Sequence, residues 1–272
     1  MTDFNEKGFI ALNYDQNFAH FRNFHPELTD AFLAFSSIAW QTQYELEVSF
    51  SSLEMIYAAS LYARILNFTQ SAHILSVYGL EVQSSTQCRC ALECLFYLAA
   101  LNKKPQILEQ VIMGDTRSAK TYIKLYKEFV AKKNTCTPEK IDNFNATIEA
   151  LENRIELLKN LGATEIKVEN AAKIAEMTEW YDLIYRPMCS SVHSKLHSLE
   201  EHLVLGDNKS LENLKNEPSF KNTASILYSC IKISLRAVEE VYIATCEPLP
   251  AQIKEFNAAL HKLGFEEYLY IH

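Results

Sequence analysis

The sequence predicts an all-α protein, a multi-helix bundle with a projecting antiparallel helical hairpin, and three observations carry that expectation. Only six glycines and seven prolines occur in 272 residues, and long segments pass without either, which favours helices over the turn-rich economy of a β protein. Ile141, Phe144, Ile148, Leu151, Ile155 and Leu158 alternate steps of three and four, nearly three heptads of apolar a and d positions. The prolines and glycines that do occur punctuate helical runs, as at Pro26, Gly79, Pro138 and Gly162.

The elements follow in order. Residues 1–25 hold Phe4, Phe9, Tyr14, Phe18, Phe21 and Phe24 without clean helical spacing, so an aromatic arm is expected, packed on the body or on a second copy. Pro26 followed by Glu27 suits a first helical turn, and that helix should reach about Glu47. Leu53 to Tyr78 reads as the next helix, with Gly79 as its stop. Glu81 to Asn102 follows, with Cys90, Cys94, Tyr97 and Leu101 at helical spacing and Arg89 and Glu93 at i and i+4. Pro105 opens a helix to about Lys133 that is expected to bend near Gly114. Thr137-Pro138-Glu139 starts the heptad helix, whose seam needs a partner. Ile123, Tyr126 and Val130 of the preceding helix offer one, closing a hairpin over about 105–162.

A helix from about Ile166 to Tyr185 is expected to kink or restart at Pro187, which lacks an amide donor and crowds the carbonyl of Leu183. The helix after it should carry His193, His197 and His202 and end near Gly206, with a short polar helix next. Pro218 is expected to open a long core helix that Pro248 and Pro250 break. A last helix around Ile253 to Leu263 and an aromatic tail make up residues 248–272. No repeat or low-complexity segment interrupts this plan, so residues 1–272 are read as one domain.

Composition narrows the function. A hydrophobic fraction of 48% with 22% charged residues is that of an ordinary soluble protein. The net charge of −8 argues against coating nucleic acid by bulk electrostatics, though a local basic patch is compatible with it. Seven cysteines, an odd number scattered through helical runs, read as free thiols of a reducing cytosol. The start Met-Thr-Asp-Phe-Asn-Glu-Lys-Gly has neither the basic start nor the apolar core of a signal peptide. Arg64, Asn67, Gln70 and His73 interrupt the apolar run from Tyr57 to Leu80 before it could span a bilayer cheaply. The expectation is a cytoplasmic protein with no membrane partner.

The chemistry concentrates between Tyr185 and His202. Arg186 and His193 are seven residues apart, nearly one face of a helix and roughly 10 Å along its axis. RNA cleavage by its own 2′-hydroxyl needs a base, an acid and a cation for the phosphorane charge. Imidazole can be either acid or base near neutrality, and a guanidinium grips phosphate oxygens bidentately. The blander reading makes both residues structural polar groups.

Other constellations are weaker. His193 and His197 with Glu200 or Glu201 have a spacing that could grip a metal, but Ser194 stands where the zinc-protease helix places a Glu. No metal or other cofactor is therefore expected. Ser190, Ser191 and Cys189 lie near His193 without a strained turn or an orienting third group, and no glycine-rich phosphate loop occurs. Arg117, Lys120, Lys124 and Lys127 form one stripe beside Tyr122 and Tyr126, either a solvated face or a phosphate-tracking ridge.

Arg186, six residues, then His193 resembles the Arg-x4-6-His motif of HEPN domains, all-helical proteins that include metal-independent ribonuclease toxins and phage-defence effectors. The wider pattern, Arg89-Cys-Ala-Leu-Glu93 followed by Leu183-Ile-Tyr-Arg-Pro-Met-Cys-Ser-Ser-Val-His193, is also similar to an uncharacterised bacterial all-helical family in which an Arg-x3-Glu helix precedes a Tyr…Ser…Val-His segment. The resemblance covers about residues 50 to 205. It implies a homodimer in which two Arg186/His193 pairs share a composite cleft, with Arg89, Glu93, Tyr185 and Ser190 supporting it and the Arg117, Lys120, Lys124 and Lys127 stripe holding RNA. One departure is Pro187, where HEPN nucleases commonly carry Asn, Asp or His. The rival expectation is a non-catalytic helical module that binds a protein partner through its seams and tail, with Leu151 and Tyr270 at stake.

Overall fold

The structure is a computed structural model that describes residues 13–46, 52–133, 135, 137–192, 203–205, 210–214 and 217–265. Its helices are α1 (Tyr14–Arg22), α2 (Pro26–Glu45), α3 (Leu53–Val77), α4 (Glu81–Lys103), α5 (Ile107–Lys132), α6 (Pro138–Asn160), α7 (Val168–Ile174), α8 (Thr178–Trp180), α9 (Arg186–Val192), α10 (Thr223–Thr245) and α11 (Ala251–Lys262). A π-helical turn, Tyr181–Tyr185, joins α8 to α9. The all-α expectation holds, and β structure among the described residues is one small hairpin, β1 (Leu203–Leu205) with β2 (Leu211–Leu214). No helix among the described residues is long and apolar enough to cross a membrane.

Polar side chains set several helix starts. Ser52 Oγ accepts from Met55 N at 3.2 Å, Thr137 Oγ1 from Lys140 N at 3.4 Å and Asn13 Oδ1 from Gln16 N at 3.2 Å, each satisfying a donor that the helix itself leaves unpaired. α3 and α4 buckle back on each other at Gly79, and α10 lies across both. Their facing residues, among them Ile65, Leu92, Leu95, Phe96, Leu227 and Val238, are fully enclosed. Buried hydroxyls find partners inside: Tyr62 donates to Ala39 O at 2.6 Å, Ser84 to Ala72 O at 2.6 Å and Ser234 to Thr69 Oγ1 at 3.2 Å.

Gly79 holds the turn. Its φ is +69°, and a Cβ there would sit 2.6 Å from Pro218 Cβ and 2.9 Å from Ser219 N, whose amide donates to Gly79 O at 2.9 Å. Gly79→Ala should therefore lower stability by about 2 kcal/mol or more, from the left-handed backbone and the displaced 218–219 segment together. A reduced denaturant midpoint at unchanged slope checks this; an unshifted midpoint refutes the tight approach.

The predicted hairpin is α5 with α6. Val130, Ile155 and Leu158 are buried, Tyr126 meets Phe144 edge-on at 5.7 Å, and Met113, Ile155, Leu158 and Ala163 form a small core of their own near its base. Toward its tip the seam is only half-buried, and Tyr126 itself is largely exposed.

Several expectations are corrected. The described part of the N-terminal arm is helical, because Asn13 caps α1 and Phe18 and Phe21, one turn apart, both reach His73 on α3. α5 runs unbroken through Gly114, whose missing side chain leaves room for Glu165, 3.3 Å from where a Cβ would stand. Ile166 to Tyr185 is not one helix: α7 stops at Ile174, and Glu176 takes a left-handed φ of +59°. The restart expected at Pro187 is present, but as a change of register rather than a chain break: the π turn ends at Tyr185, α9 starts at Arg186, and Arg186 N donates to Tyr181 O. Strands stand at 203–205 and 211–214 where a helix end and a polar helix were expected. α10 opens at Thr223 rather than Pro218, since 218–222 is tied to α4: Ser219 Oγ donates to Glu81 Oε2 at 2.8 Å and Asn222 N to Oε1 at 2.5 Å. His193, His197, Glu200, Glu201, His202 and Tyr270 lie outside the described residues.

Candidate functional site

Arg89 projects from α4 toward the segment that carries Arg186. Its Nε donates to Cys189 Sγ at 3.0 Å and its Nη2 to Tyr185 Oη at 3.1 Å, and that hydroxyl in turn donates to Glu93 Oε2 at 3.1 Å. Arg89 Nη2 also lies 3.4 Å from Glu93 Oε2, and the guanidinium carbon is 5.1 Å from the centre of the Tyr185 ring. The expected i, i+4 ion pair is present, but as one side of a network joining residues about a hundred apart in sequence.

The local folding explains the contact. Tyr185, Met188 and Cys189 fall on one side of the chain, where the π turn leads into α9, and Tyr185 and Met188 are buried against α4. Tyr185 also stacks on Tyr181 at 5.3 Å and meets Phe96 edge-on at 5.8 Å. The Arg89 side chain is only 20% exposed. Burial works against its charge, yet the Cys189 acceptor, Tyr185 and Glu93 outweigh burial and hold the guanidinium above arginine's ordinary pKa. Tyr185 is pushed well up, first by burial and then by the Glu93 charge, so it serves as a neutral donor rather than a base.

Arg186 points the other way. Its side chain is 66% exposed and pairs with Asp182 at 3.2 Å, one turn back. Ser190 lies on α9. The structure thus brings Arg89, Glu93, Tyr185 and Cys189 together and leaves Arg186 free of that network. Cys189 was not expected there, and four-residue spacing from Tyr185 was its only sequence signal.

The basic stripe is largely engaged within the hairpin region. Lys120 pairs with Glu152 at 2.7 Å, Arg117 with Glu165 at 3.5 Å, and Lys127 donates to Asn145 Oδ1 at 2.5 Å. The Lys120 hydrogen bond, with Lys124 adding to it, holds the Glu152 carboxyl below its ordinary value. Exposed instead is an apolar ridge on α5, Tyr122, Leu125, Tyr126 and Phe129, in which the two tyrosines stack at 6.1 Å.

Arg89 and Glu93 also line a cleft of about 570 Å³ between α3, α4, α5 and the 163–167 loop, with Tyr57, Arg64, Phe68, Cys90, Cys94, Tyr97 and Asp115 around it. Burial pushes the Cys94 thiol up to about 11 and the Tyr97 phenol up to about 12, and raises Cys90 and Tyr57 as well. Thiolate nucleophiles are therefore not at hand in this wall at neutral pH. Sequence reading missed the cleft because its walls come from separate helices. Among the described residues no group of three or more His, Cys, Asp or Glu side chains is arranged to hold a metal ion.

A model of a family of unknown function, DUF5677, matches residues 55–211, more than half of the chain. No curated protein and no solved structure matches.

Proposed function

The chain belongs to this DUF5677 family, and because membership brings no activity with it we propose, from the chain's own geometry, a HEPN-like metal-independent ribonuclease or RNA-binding effector. The observation that carries this reading is the clamp on the segment bearing Arg186: Arg89 fastens Tyr185 and Cys189 to α4 and leaves the neighbouring guanidinium facing solvent. A cation held on a positioned backbone, its head at the surface and shared with Asp182 one turn back, can turn to developing phosphate charge. His193, the residue after α9 in the chain, moves the proton; Arg186 stabilises the phosphorane; Arg89, Glu93 and Tyr185 position both. Two protomers bring their pairs together, and a role in bacterial phage defence or toxin biology accords with the same reading.

The test is incubation of the purified protein and His193→Ala with a mixed RNA pool in EDTA, scoring 2′,3′-cyclic phosphate ends. Cleavage by the wild type should fall about a hundredfold or more in the variant, the usual size of a lost acid–base group. Undiminished cleavage by His193→Ala overturns the assignment.

A second reading, a helical protein-interaction module, is favoured by the α5 ridge of Tyr122, Leu125, Tyr126 and Phe129. It gains if no RNA is cut and a Tyr122→Ala/Phe129→Ala variant loses a binding partner that the wild type retains.

A further inference from the structure

The cleft beside Arg89 is built for a ligand with two different ends. Of its charged lining residues, Arg89 is neutralised by Glu93 at 3.4 Å and Glu165 by Arg117 at 3.5 Å. That leaves one cation and one anion, Arg64 on α3 and Asp115 on α5, with no ion pair between either and any other described residue. Arg64 has the face of Phe68 at 5.6 Å and keeps its N–H fork for other acceptors. Tyr57, on α3 with Arg64, lines the same cleft and is near enough to Asp115 to feel its charge as well as that of Arg64. Its ring and that of Tyr97 supply flat apolar surface, and their hydroxyls remain protonated donors.

The complement of such a site is an anionic group at one end, a flat ring in the middle and adjacent N–H donors at the other. A carboxylate accepts two parallel N–H bonds best, as it does from arginine. Among the common bases only guanine presents two neighbouring donors, N1–H and the 2-amino group; adenine and cytosine set an acceptor beside their amino group, and uracil flanks its N–H with carbonyls. We propose that this cleft binds guanosine monophosphate, with the phosphate on Arg64 and the guanine edge on Asp115. A volume of about 570 Å³ is within the roughly 300–1,000 Å³ of small-ligand sites. Arg64 is the one cation of the lining without an ion pair among the described residues, so the cleft has a counter-charge for one phosphate and not for three, and a monophosphate is preferred over a triphosphate. The site does not depend on Arg186 or His193, and it stands whether or not the chain cuts RNA.

Calorimetric titration of the full chain with GMP, IMP, AMP, GTP and inorganic phosphate tests it. Saturable GMP binding is expected, weakened about tenfold or more for IMP, which lacks the 2-amino group, and for AMP and GTP. Arg64→Ala and Asp115→Asn should each weaken GMP binding by a similar factor. Both side chains lie on exposed positions of their helices, and unchanged far-UV dichroism verifies the fold. Asp115→Asn should also narrow the gap between GMP and AMP. Absence of saturable GMP binding at millimolar ligand, equal binding of GMP and AMP, or indifference to both substitutions overturns the proposal. Phosphate binding as tightly as GMP does so too, since it would reduce the cleft to an anion site.

Discussion

Replacing Arg236 by Met is expected to destabilise the fold by about 3–5 kcal/mol, the range for stranding one member of a buried pair. Arg236 and Glu240 are one turn apart on α10, and Glu240 is 2% exposed. Its carboxylate takes an ion pair from Arg236 Nη2 and a hydrogen bond from Asn102 Nδ2 at 2.7 Å, and the same amide group donates to Glu240 O at 2.8 Å. Removing Arg236 leaves the carboxylate enclosed, with the Asn102 amide still donating to it but no countercharge from Arg236. Removing the charge at the other end is milder: in Glu240→Gln the guanidinium is partly exposed and still has Glu239 at 3.4 Å, so about 1 kcal/mol is expected. The double variant should recover much of the Arg236→Met loss, because no buried charge is then stranded. Denaturant unfolding of the four proteins decides it. Equal costs for the two single variants would refute the asymmetry and with it the claim that desolvation of Glu240 dominates.

What sequence could convey here is what helices encode locally. The seam from Ile141 to Leu158, the stops at Gly79 and Gly162 and the starts at Pro26 and Pro138 rest on contacts within one or two turns, and the structure bears them out. The i, i+4 pair Arg89/Glu93 was legible for the same reason. Tyr185 was grouped with that pair only through the family resemblance, and Cys189 was not grouped with it at all, since those contacts cross about a hundred residues and depend on a π turn that no residue pattern announced. The basic stripe shows the converse. Its period is real, but period says nothing of whether Glu152 and Glu165 stand opposite, and once they do the stripe's charge is largely matched. The cleft was invisible because Arg64, Glu93 and Asp115 belong to different helices and meet only when α3, α4 and α5 are assembled.

This assembly also fixes where function can reside. The α3–α4–α10 core is closed and mainly apolar, its few polar groups enclosed, whereas polar side chains gather along the outer side of α4, with the Arg89 network toward α9 and the cleft toward α5. α4 is thus packed into the core on one side and chemically varied on the other. A ligand in the cleft would touch Arg89 and Glu93, and through them the segment bearing Arg186, by way of hydrogen bonds already formed.

α1 carries the second large effect, and it is a response to acid. His73 on α3 is 4% exposed and ringed by Phe18, Phe21 and Phe32, at centroid distances of 6.1, 5.7 and 4.6 Å. Neither ring nitrogen has a hydrogen-bond partner among the described residues. Burial alone lowers its pKa from 6.5 to about 4, because an imidazolium among phenyl rings loses its hydration without gaining an anion. Unfolded, the same group titrates near 6.5, so between those two values the unfolded chain binds the extra proton. Stability from this residue is therefore complete above about pH 6.5, falls by about 1.4 kcal/mol per pH unit below it, and is exhausted near pH 4, a total of about 3 kcal/mol. The chain has eight histidines, so the contribution is isolated by difference. His73→Phe, which keeps a ring of similar shape in the cage, should flatten the wild-type-minus-variant stability above pH 6.5 and tilt it toward the variant as pH falls to 4. The effect should start at α1, whose Phe18 and Phe21 reach His73, and amide exchange in residues 14–22 should quicken in acid for the wild type more than for the variant. A difference curve that stays level from pH 7 to pH 4 would mean that the proton finds an acceptor in the cage, and that His73 is not the enclosed neutral ring its surroundings make it.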